Sequence, residues 1–244
     1  MTKQEKVLYA QDCISRTIQY SKNPFSGSRN IILETDQTFF EMMTFGNNAV
    51  IRVDKEIYDW CVGKFADTRA KFIMDGDNLY SIEDKLRQYG KQLSGEHLNF
   101  LHLHPDTTVA EPNGFSFELY GKENISELYQ DNQYKSNNYE NSLGSNPNGV
   151  ELAIVARREG IIAGAVAVDS YNYGLWQIGI DTVDQYRGRG IAAYLVKQMA
   201  QESEKRGHVP FYATWSANIA SMRVALGAGF GPVWLTYSAE DATT

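Results

Sequence analysis

The stretch Gln185-Tyr186-Arg187-Gly188-Arg189-Gly190-Ile191-Ala192 narrows the choice of folds more than any other part of this sequence. It lies between a strand signal ending near Thr182 and a helical pattern that runs to Arg206. Glycines at 188 and 190 let the backbone reverse with its N–H groups turned to one side, and the helix that starts there adds unpaired N–H donors and the positive end of its dipole. The segment reads as a cradle for a pyrophosphate, with Arg187 and Arg189 placed for charge-assisted contacts at its rim. It is neither the Gly-x-Gly-x-x-Gly dinucleotide fingerprint nor the Gly-x-x-x-x-Gly-Lys-Ser/Thr loop. Its form is Gln-x-x-Gly-x-Gly.

The elements around the loop follow a regular order. Phe115 to Tyr120 alternates like a half-buried strand, Lys122 to Gln130 reads as a short helix, and Asn132 to Asn148 is polar, Asn-rich and long enough for a flap. Three strand signals follow as a β-meander: Leu152 to Ala156, Ile161 to Val168 after Glu159-Gly160, and Leu175 to Thr182 after Asn172-Tyr173-Gly174. The helix after the loop carries apolar Ile191, Leu195, Val196, Met199 and Ala200 and stops at Gly207, where a left-handed residue belongs. Val209 to Trp215 is then a strand, Ala217 to Leu226 a helix, and Gly231 to Tyr237 a last strand.

The first hundred residues contain no catalytic motif. A helix is expected over about residues 4 to 21 and a strand over Asn30 to Glu34 after the Pro24 to Ser28 turn cluster. A hairpin pairs Phe39 to Phe45 with Ala49 to Val53 through Gly46-Asn47-Asn48. Helical patterns cover about 55 to 66 and 78 to 89, and Asn99 to His104 is a strand. The turn formers between residues 106 and 114 mark a boundary, so the expected domains are an N-terminal α+β unit at 1–110 and a larger unit at 111–244. The fold class is α/β (α+β), with a mixed sheet flanked by helices in the second unit.

Composition removes several function classes. With 244 residues, 43% hydrophobic, and no apolar run near the ~18 residues that span a bilayer, a soluble globular protein of one to two domains is expected, with no membrane partner. The segment after Met1 to Lys6 lacks the apolar stretch and cleavage site of a secretory signal, so a cytoplasmic location is expected. Cys13 and Cys61 form no Cys-x-x-Cys pair and read as small buried hydrophobes. Against 30 acidic residues stand 23 basic ones, for a net charge of −7, and no Lys/Arg run exceeds two, so nucleic acid is not an expected partner. His102 and His104 alternate on one strand, but no third ligand accompanies them, and no metal is expected. The aromatic group Tyr171, Tyr173, Trp176, Tyr212 and Trp215 reads as core and hairpin packing, with some members lining an acceptor pocket.

The Gln-x-x-Gly-x-Gly string resembles motif A of the GCN5-related N-acetyltransferase (GNAT) superfamily, which binds the pyrophosphate of acetyl-CoA. The element order from about residue 115 to 240 is similar to that superfamily's. So is Asn218-Ile219-Ala220-Ser221 followed by Gly229-Phe230, with eleven residues from Asn218 to Gly229. Within the superfamily, Pro210-Phe211-Tyr212 and the run from Trp215 to Ser221 look similar to the branch that includes zwittermicin A resistance acetyltransferases, which implies a small-molecule amine as acceptor.

The resemblance implies acetyl-CoA as cosubstrate, held by Gln185, Arg187, Gly188, Arg189, Gly190, Ile191 and Ala192. It implies further contacts from Ile180 and Thr182 on the strand beside the pantetheine, and from Asn218 and Ser221. Direct attack of a neutral amine on the thioester needs a base and a donor to the carbonyl oxygen. Asp181 and Glu118 are the base candidates. Many members carry a Tyr seven residues after the Asn as acid toward the departing thiolate, whereas this chain has Ala225 there. A thiol with a pKa of about 8–9 leaves without a dedicated acid, and Tyr212 or Ser221 could donate. The competing class is a CoA-binding regulator without transferase activity. The N-terminal unit is left as a contributor to the acceptor pocket or to a homodimer interface.

Overall fold

The periodicities of the sequence become eighteen principal elements. The computed structural model describes residues 1–130, 142, 149–170 and 174–242. In chain order they are α1 (Lys3–Thr17), β1 (Ile31–Glu34), β2 (Phe40–Thr44), β3 (Ala49–Val53), α2 (Lys55–Phe65), α3 (Ala70–Ile73), α4 (Gly76–Arg87), β4 (Lys91–Leu93) and β5 (His97–His102). There follow β6 (Ser116–Gly121), α5 (Ile125–Gln130), β7 (Val150–Arg158), β8 (Ile161–Asp169), β9 (Trp176–Thr182), α6 (Ile191–Lys205), β10 (Pro210–Trp215), α7 (Ile219–Gly227) and β11 (Phe230–Asp241). The expected class, a mixed sheet flanked by helices, is the observed one. Most of Asn132 to Asn148, with Tyr171, Asn172 and Tyr173, lies outside the described residues. Among the described residues no helix is long and apolar enough to cross a membrane.

Two compact units divide the chain, and neither is a continuous run. The first takes Met1–Thr17, Phe100–Ala213 and Asn218–Pro232; the second takes Ile18–Asn99, Thr214–Ala217 and the chain from Val233 on. Residues 106–114, read from sequence as a boundary, therefore lie within the first unit.

In the first unit β6, β7, β8 and β9 form an antiparallel meander, and β10 joins β9 in parallel. A parallel neighbour needs a crossover, and α6 supplies it, packing on β7, β8 and β9. The opposite face of the meander buries Ala153, Val155, Ala165 and Ala167 against Ile125 and Leu128 of α5. The far end of α6 closes with Gly207 at φ 82, and the His208 N–H reaches the Ser203 carbonyl at 3.0 Å, a Schellman stop.

A buried charge cluster ties α1 to the rest of this unit. Lys6 Nζ lies 2.5 Å from Glu204 Oε1 and donates to the His102 carbonyl at 2.6 Å, while His102 Nδ1 is 2.9 Å from the same Glu204 oxygen. Burial pushes the Glu204 carboxyl up, but the hydrogen bonds from His102 and Lys6 outweigh it and hold the group below the ordinary carboxylate range. Strand β5 ends at His102, two residues earlier than expected, and His104 leaves the strand to place Nδ1 3.1 Å from Lys3 Nζ. The two imidazoles thus turn to different partners.

The second unit holds the hairpin β2–β3, with β1 parallel to β3 and the later part of β11 antiparallel to β2. Phe40, Met42, Ile51, Val53, Ile57, Cys61, Phe65, Ile82 and Leu86 form its core. Burial pushes the Cys61 thiol up to about 12, so it behaves as the small hydrophobe expected. Two short elements, α3 and β4, were not legible in the sequence. Strand β4 has only three residues and exists because Leu93, Gln92 and Lys91 pair with Ala239, Glu240 and Asp241 of β11. The same pairing carries β11 four residues past its expected end at Tyr237.

Strands β7 and β8 are joined by Glu159 and Gly160, both left-handed at φ 52 and 79, which is the requirement of a type I′ turn. Glutamate is strained there, whereas asparagine visits that region readily. Glu159→Asn is expected to stabilise the chain by about 0.5–1 kcal/mol, read as a higher urea midpoint at an unchanged slope.

Candidate active site

The loop before α6 has the conformation that its glycines require. Residues Asp184–Tyr186, including Gln185, form one 3-10 turn; Gly188 and Gly190 follow at φ 74 and 81, and Gly190 is the N-cap of α6. Among the described residues no side chain caps that helix, so its first N–H groups face outward beside two glycines around which a Cβ would meet nothing within 4 Å. Ile191 is buried against the sheet and Ala192 is partly covered. The arginines behave differently from each other. Arg187 turns back on its own loop, with Nη2 2.9 Å from Asp184 Oδ1 and Nε donating to the Thr182 carbonyl at 3.3 Å. Arg189 lies over the Tyr186 ring, 5.7 Å from its centroid. Charge at the rim therefore rests mainly on Arg189.

The sheet opens next to this loop. Strands β9 and β10 pair at Trp176, Gln177 and Ile178 with Pro210, Phe211 and Tyr212, and their register ends there. Residues in register carry their side chains on one face of a sheet. Thr182 is opposite Gly164, whose added Cβ would touch Ile191 and Leu195, so Ile178, Ile180 and Thr182 belong to the α6 face. Gly164 is close-packed there: a Cβ would lie 3.0 Å from the Asp181 carbonyl oxygen. Asp181 is opposite Ala165 and belongs to the other face, beside the buried Ala165 and Ala167 of β8. The Thr182 Oγ1 atom is buried with no hydrogen-bond partner among the described residues.

Tyr212 shares the α6 side and is 2% exposed, with its hydroxyl 2.7 Å from Ser221 Oγ on α7. Burial pushes its ionisation above the ordinary 10.0; the Ser221 hydrogen bond pulls the other way, and the nearby Asp181 carboxylate adds to the rise. Asn218 caps α7, its Oδ1 accepting from the Ser221 N–H at 3.1 Å. Ala225, one turn beyond Ser221 on the same helix face, is fully buried. A phenol borne by a strand therefore lies against the face of α7 on which the resemblance would place a helical one.

Asp181 has a partner that no sequence pattern announces. Ser142, 9% exposed, donates both its backbone N–H and its hydroxyl to Asp181 Oδ2, at 2.7 and 2.8 Å. Glu118, the other expected base, is not brought to this place. The register runs Glu118, Val155, Ala165, Asp181 straight across the sheet, so the two carboxylates share a face but stand three strands apart, about 14 Å at the usual spacing. Glu118 accepts from Tyr120 at 2.7 Å and from Arg157 Nε at 3.0 Å, and these contacts hold it below the ordinary carboxylate range. A carboxylate so stabilised is a weak base.

Other expected participants are elsewhere. Trp176 stacks on His208 with ring centroids 3.9 Å apart, and with Leu119, Lys122, Glu151 and Arg206 it borders a shallow cleft at the opposite end of β9 from the glycine loop. The cations of that cleft are already paired, Lys122 with Glu151 and Arg206 with Glu202. In the second unit Trp215 is 58% exposed rather than core, set edge-on to His97 above Gly95.

Comparison with known proteins bears on the same region. The family model described as GNAT acetyltransferase matches residues 68–234, reaching further toward the N-terminus than the resemblance seen in the sequence. No curated protein matches the chain. Among solved structures, one from Novosphingobium aromaticivorans assigned as a GNAT-family acetyltransferase is 20% identical, with 64% of this chain and 69% of that one covered and a TM-score of 0.46. A GNAT-family acetyltransferase from Colwellia psychrerythraea is 15% identical over 62% of this chain and 57% of its own, little more than half its length, with a TM-score of 0.44. A Drosophila protein is 12% identical over 98% of this chain and 91% of its own, with a TM-score of 0.47.

Proposed function

Because the chain belongs to the GNAT acetyltransferase family, and is on that ground an acyltransferase, we propose that it moves acetyl from acetyl-CoA to the primary amine of a small molecule, both bound at once. The observation that carries this reading is the parting of β9 from β10 after the pair Ile178 and Tyr212, beside the uncapped start of α6. A net charge of −7 favours an ammonium-bearing acceptor. Two free buried cysteines suit the reducing cytoplasm.

The residues present fit a pyrophosphate-bearing arm. The N–H groups around Gly188, Gly190, Ile191 and Ala192 would hold the diphosphate, with Gln185, Arg187 and Arg189 around it. Ile180, Thr182, Asn218 and Ser221 would flank the arm along the opening. Bound there, acetyl-CoA supplies an acetyl group activated as a thioester. Asp181, on the face opposite α6, takes the proton from the acceptor's ammonium. Tyr212, oriented by Ser221, keeps its proton across neutral pH, because burial raises its ionisation, and presents that proton to the departing sulfur.

Thermal unfolding tests the cofactor assignment. Acetyl-CoA at a hundredfold excess over Kd is expected to stabilise the fold by about 2.7 kcal/mol, a rise in Tm of roughly 5–10 °C for a chain of this size. Gly188→Asp keeps a residue that tolerates the left-handed region but puts a negative charge in the cradle, and should abolish the rise while leaving the unliganded Tm near its original value. A Gly188→Asp protein that still responds fully to acetyl-CoA would move the coenzyme away from this loop.

A further inference from the structure

We propose that Ser142 is the positioning residue for the base, a pincer that fixes the Asp181 carboxylate in the orientation from which it receives the acceptor's proton; this rests on the reading of Asp181 as that base. Two donors of a single residue converge on one oxygen. The Ser142 N–H reaches Oδ2 at 2.7 Å and its hydroxyl reaches the same atom at 2.8 Å. A lone hydrogen bond leaves a carboxylate free to swing about its Cβ–Cγ bond, whereas two bonds to Oδ2 from separate directions hold the plane of the group. A base must lie within hydrogen-bond reach of the proton that it takes, and angular freedom there lowers the fraction of productive encounters.

The surroundings make this clamp consequential. Asp181 leaves β9 beyond the last pair with β10, and its neighbours in β8 on that face are Ala163, Ala165 and Ala167, whose side chains are too short to brace a carboxylate. Ser142, 39 positions earlier in the chain and almost wholly buried, holds the carboxylate from outside the sheet.

The experiment is a double-mutant cycle on the full chain, reading kcat and KM with one amine acceptor. Ser142→Ala removes the hydroxyl donor and keeps the backbone one. It is expected to lower kcat about tenfold with KM for the amine little changed, and to leave the acetyl-CoA thermal shift unchanged. Ser142→Thr, which keeps the hydroxyl, should restore kcat. In an Asp181→Asn background the same Ser142→Ala change should alter the rate less than twofold. A rise in KM in place of the fall in kcat, or an equal loss in both backgrounds, would reduce Ser142 to a structural contact. An Asp181→Asn protein of full activity would instead overturn the assignment of Asp181 itself, a separate result that the first arm of the cycle reads directly.

Discussion

Asp181→Asn is expected to lower kcat/KM for acetyl transfer by roughly 10²–10⁴, the range of a positioned general base. Asparagine keeps the size of the side chain and an oxygen that can accept from the Ser142 N–H and hydroxyl, so the local packing survives while the proton acceptor is lost. The acetyl-CoA thermal shift should remain, since no part of the glycine loop is altered. In the unaltered protein the rate should show no loss on the alkaline side up to about pH 10, because burial lifts the Tyr212 ionisation above its ordinary value and the phenol remains a donor below it. The sign follows from a raised ionisation: the protonated, donating form persists to higher pH. Glu118→Gln serves as the control. It stands three strands away and already pairs with Arg157, so its loss should change the rate less than twofold. Full activity in Asp181→Asn with a large loss in Glu118→Gln would reverse the assignment of the base.

Gly229→Ala is expected to destabilise the chain by at least about 3 kcal/mol, in the tail that point mutants reach only through a named structural defect. Two defects coincide at this position. Its φ of 91 is left-handed, and a Cβ would fall inside the van der Waals surface of the His104 carbonyl oxygen, with Thr107 Oγ1 3.1 Å away. The neighbour cannot swing aside, because it is backbone: the His104 N–H donates to the Gly229 carbonyl at 2.9 Å. Gly207 separates the two contributions. It has a similar φ of 82 but open space around it, so Gly207→Ala should cost only the left-handed strain, about 1–2 kcal/mol. Equal effects of the two substitutions in chemical denaturation would show that the close approach at Gly229 relaxes without cost.

Much of the candidate site was legible because it obeys local rules. Gly188 and Gly190 announce a left-handed turn into a helix, Gly207 announces its end, and Asn218 announces a cap, each through the preferences of a few consecutive residues. The meander was legible because its strands are apolar or alternating, six to nine residues long and punctuated by turn formers. Strand β4 and the tail of β11 were not. Lys91-Gln92-Leu93 and Ser238 to Asp241 have no alternation of their own, and their extended form comes from pairing with each other. Arg187 was assigned to the rim on charge alone, yet Asp184 stands three residues before it, where an exposed arginine finds a local partner. Trp215 was read with its aromatic group as core and hairpin packing or pocket lining, and it ends a strand whose last residue is exposed.

The two carboxylates divide most clearly what each level determines. By itself the sequence determined that a strand bearing Asp181 leads into a glycine loop and a helix, since conformational preference and periodicity act over one element. It could not choose between Asp181 and Glu118, because that choice depends on register. Only pairing across four strands sets Glu118 at the sheet edge against Arg157 and Asp181 at the opening. Only the tertiary structure seats Ser142 on Asp181 and turns the Tyr212 phenol against Ser221. Backbone preferences are decided between neighbours in the chain, whereas the ionisation, orientation and reach of a side chain are decided by whatever the fold packs against it.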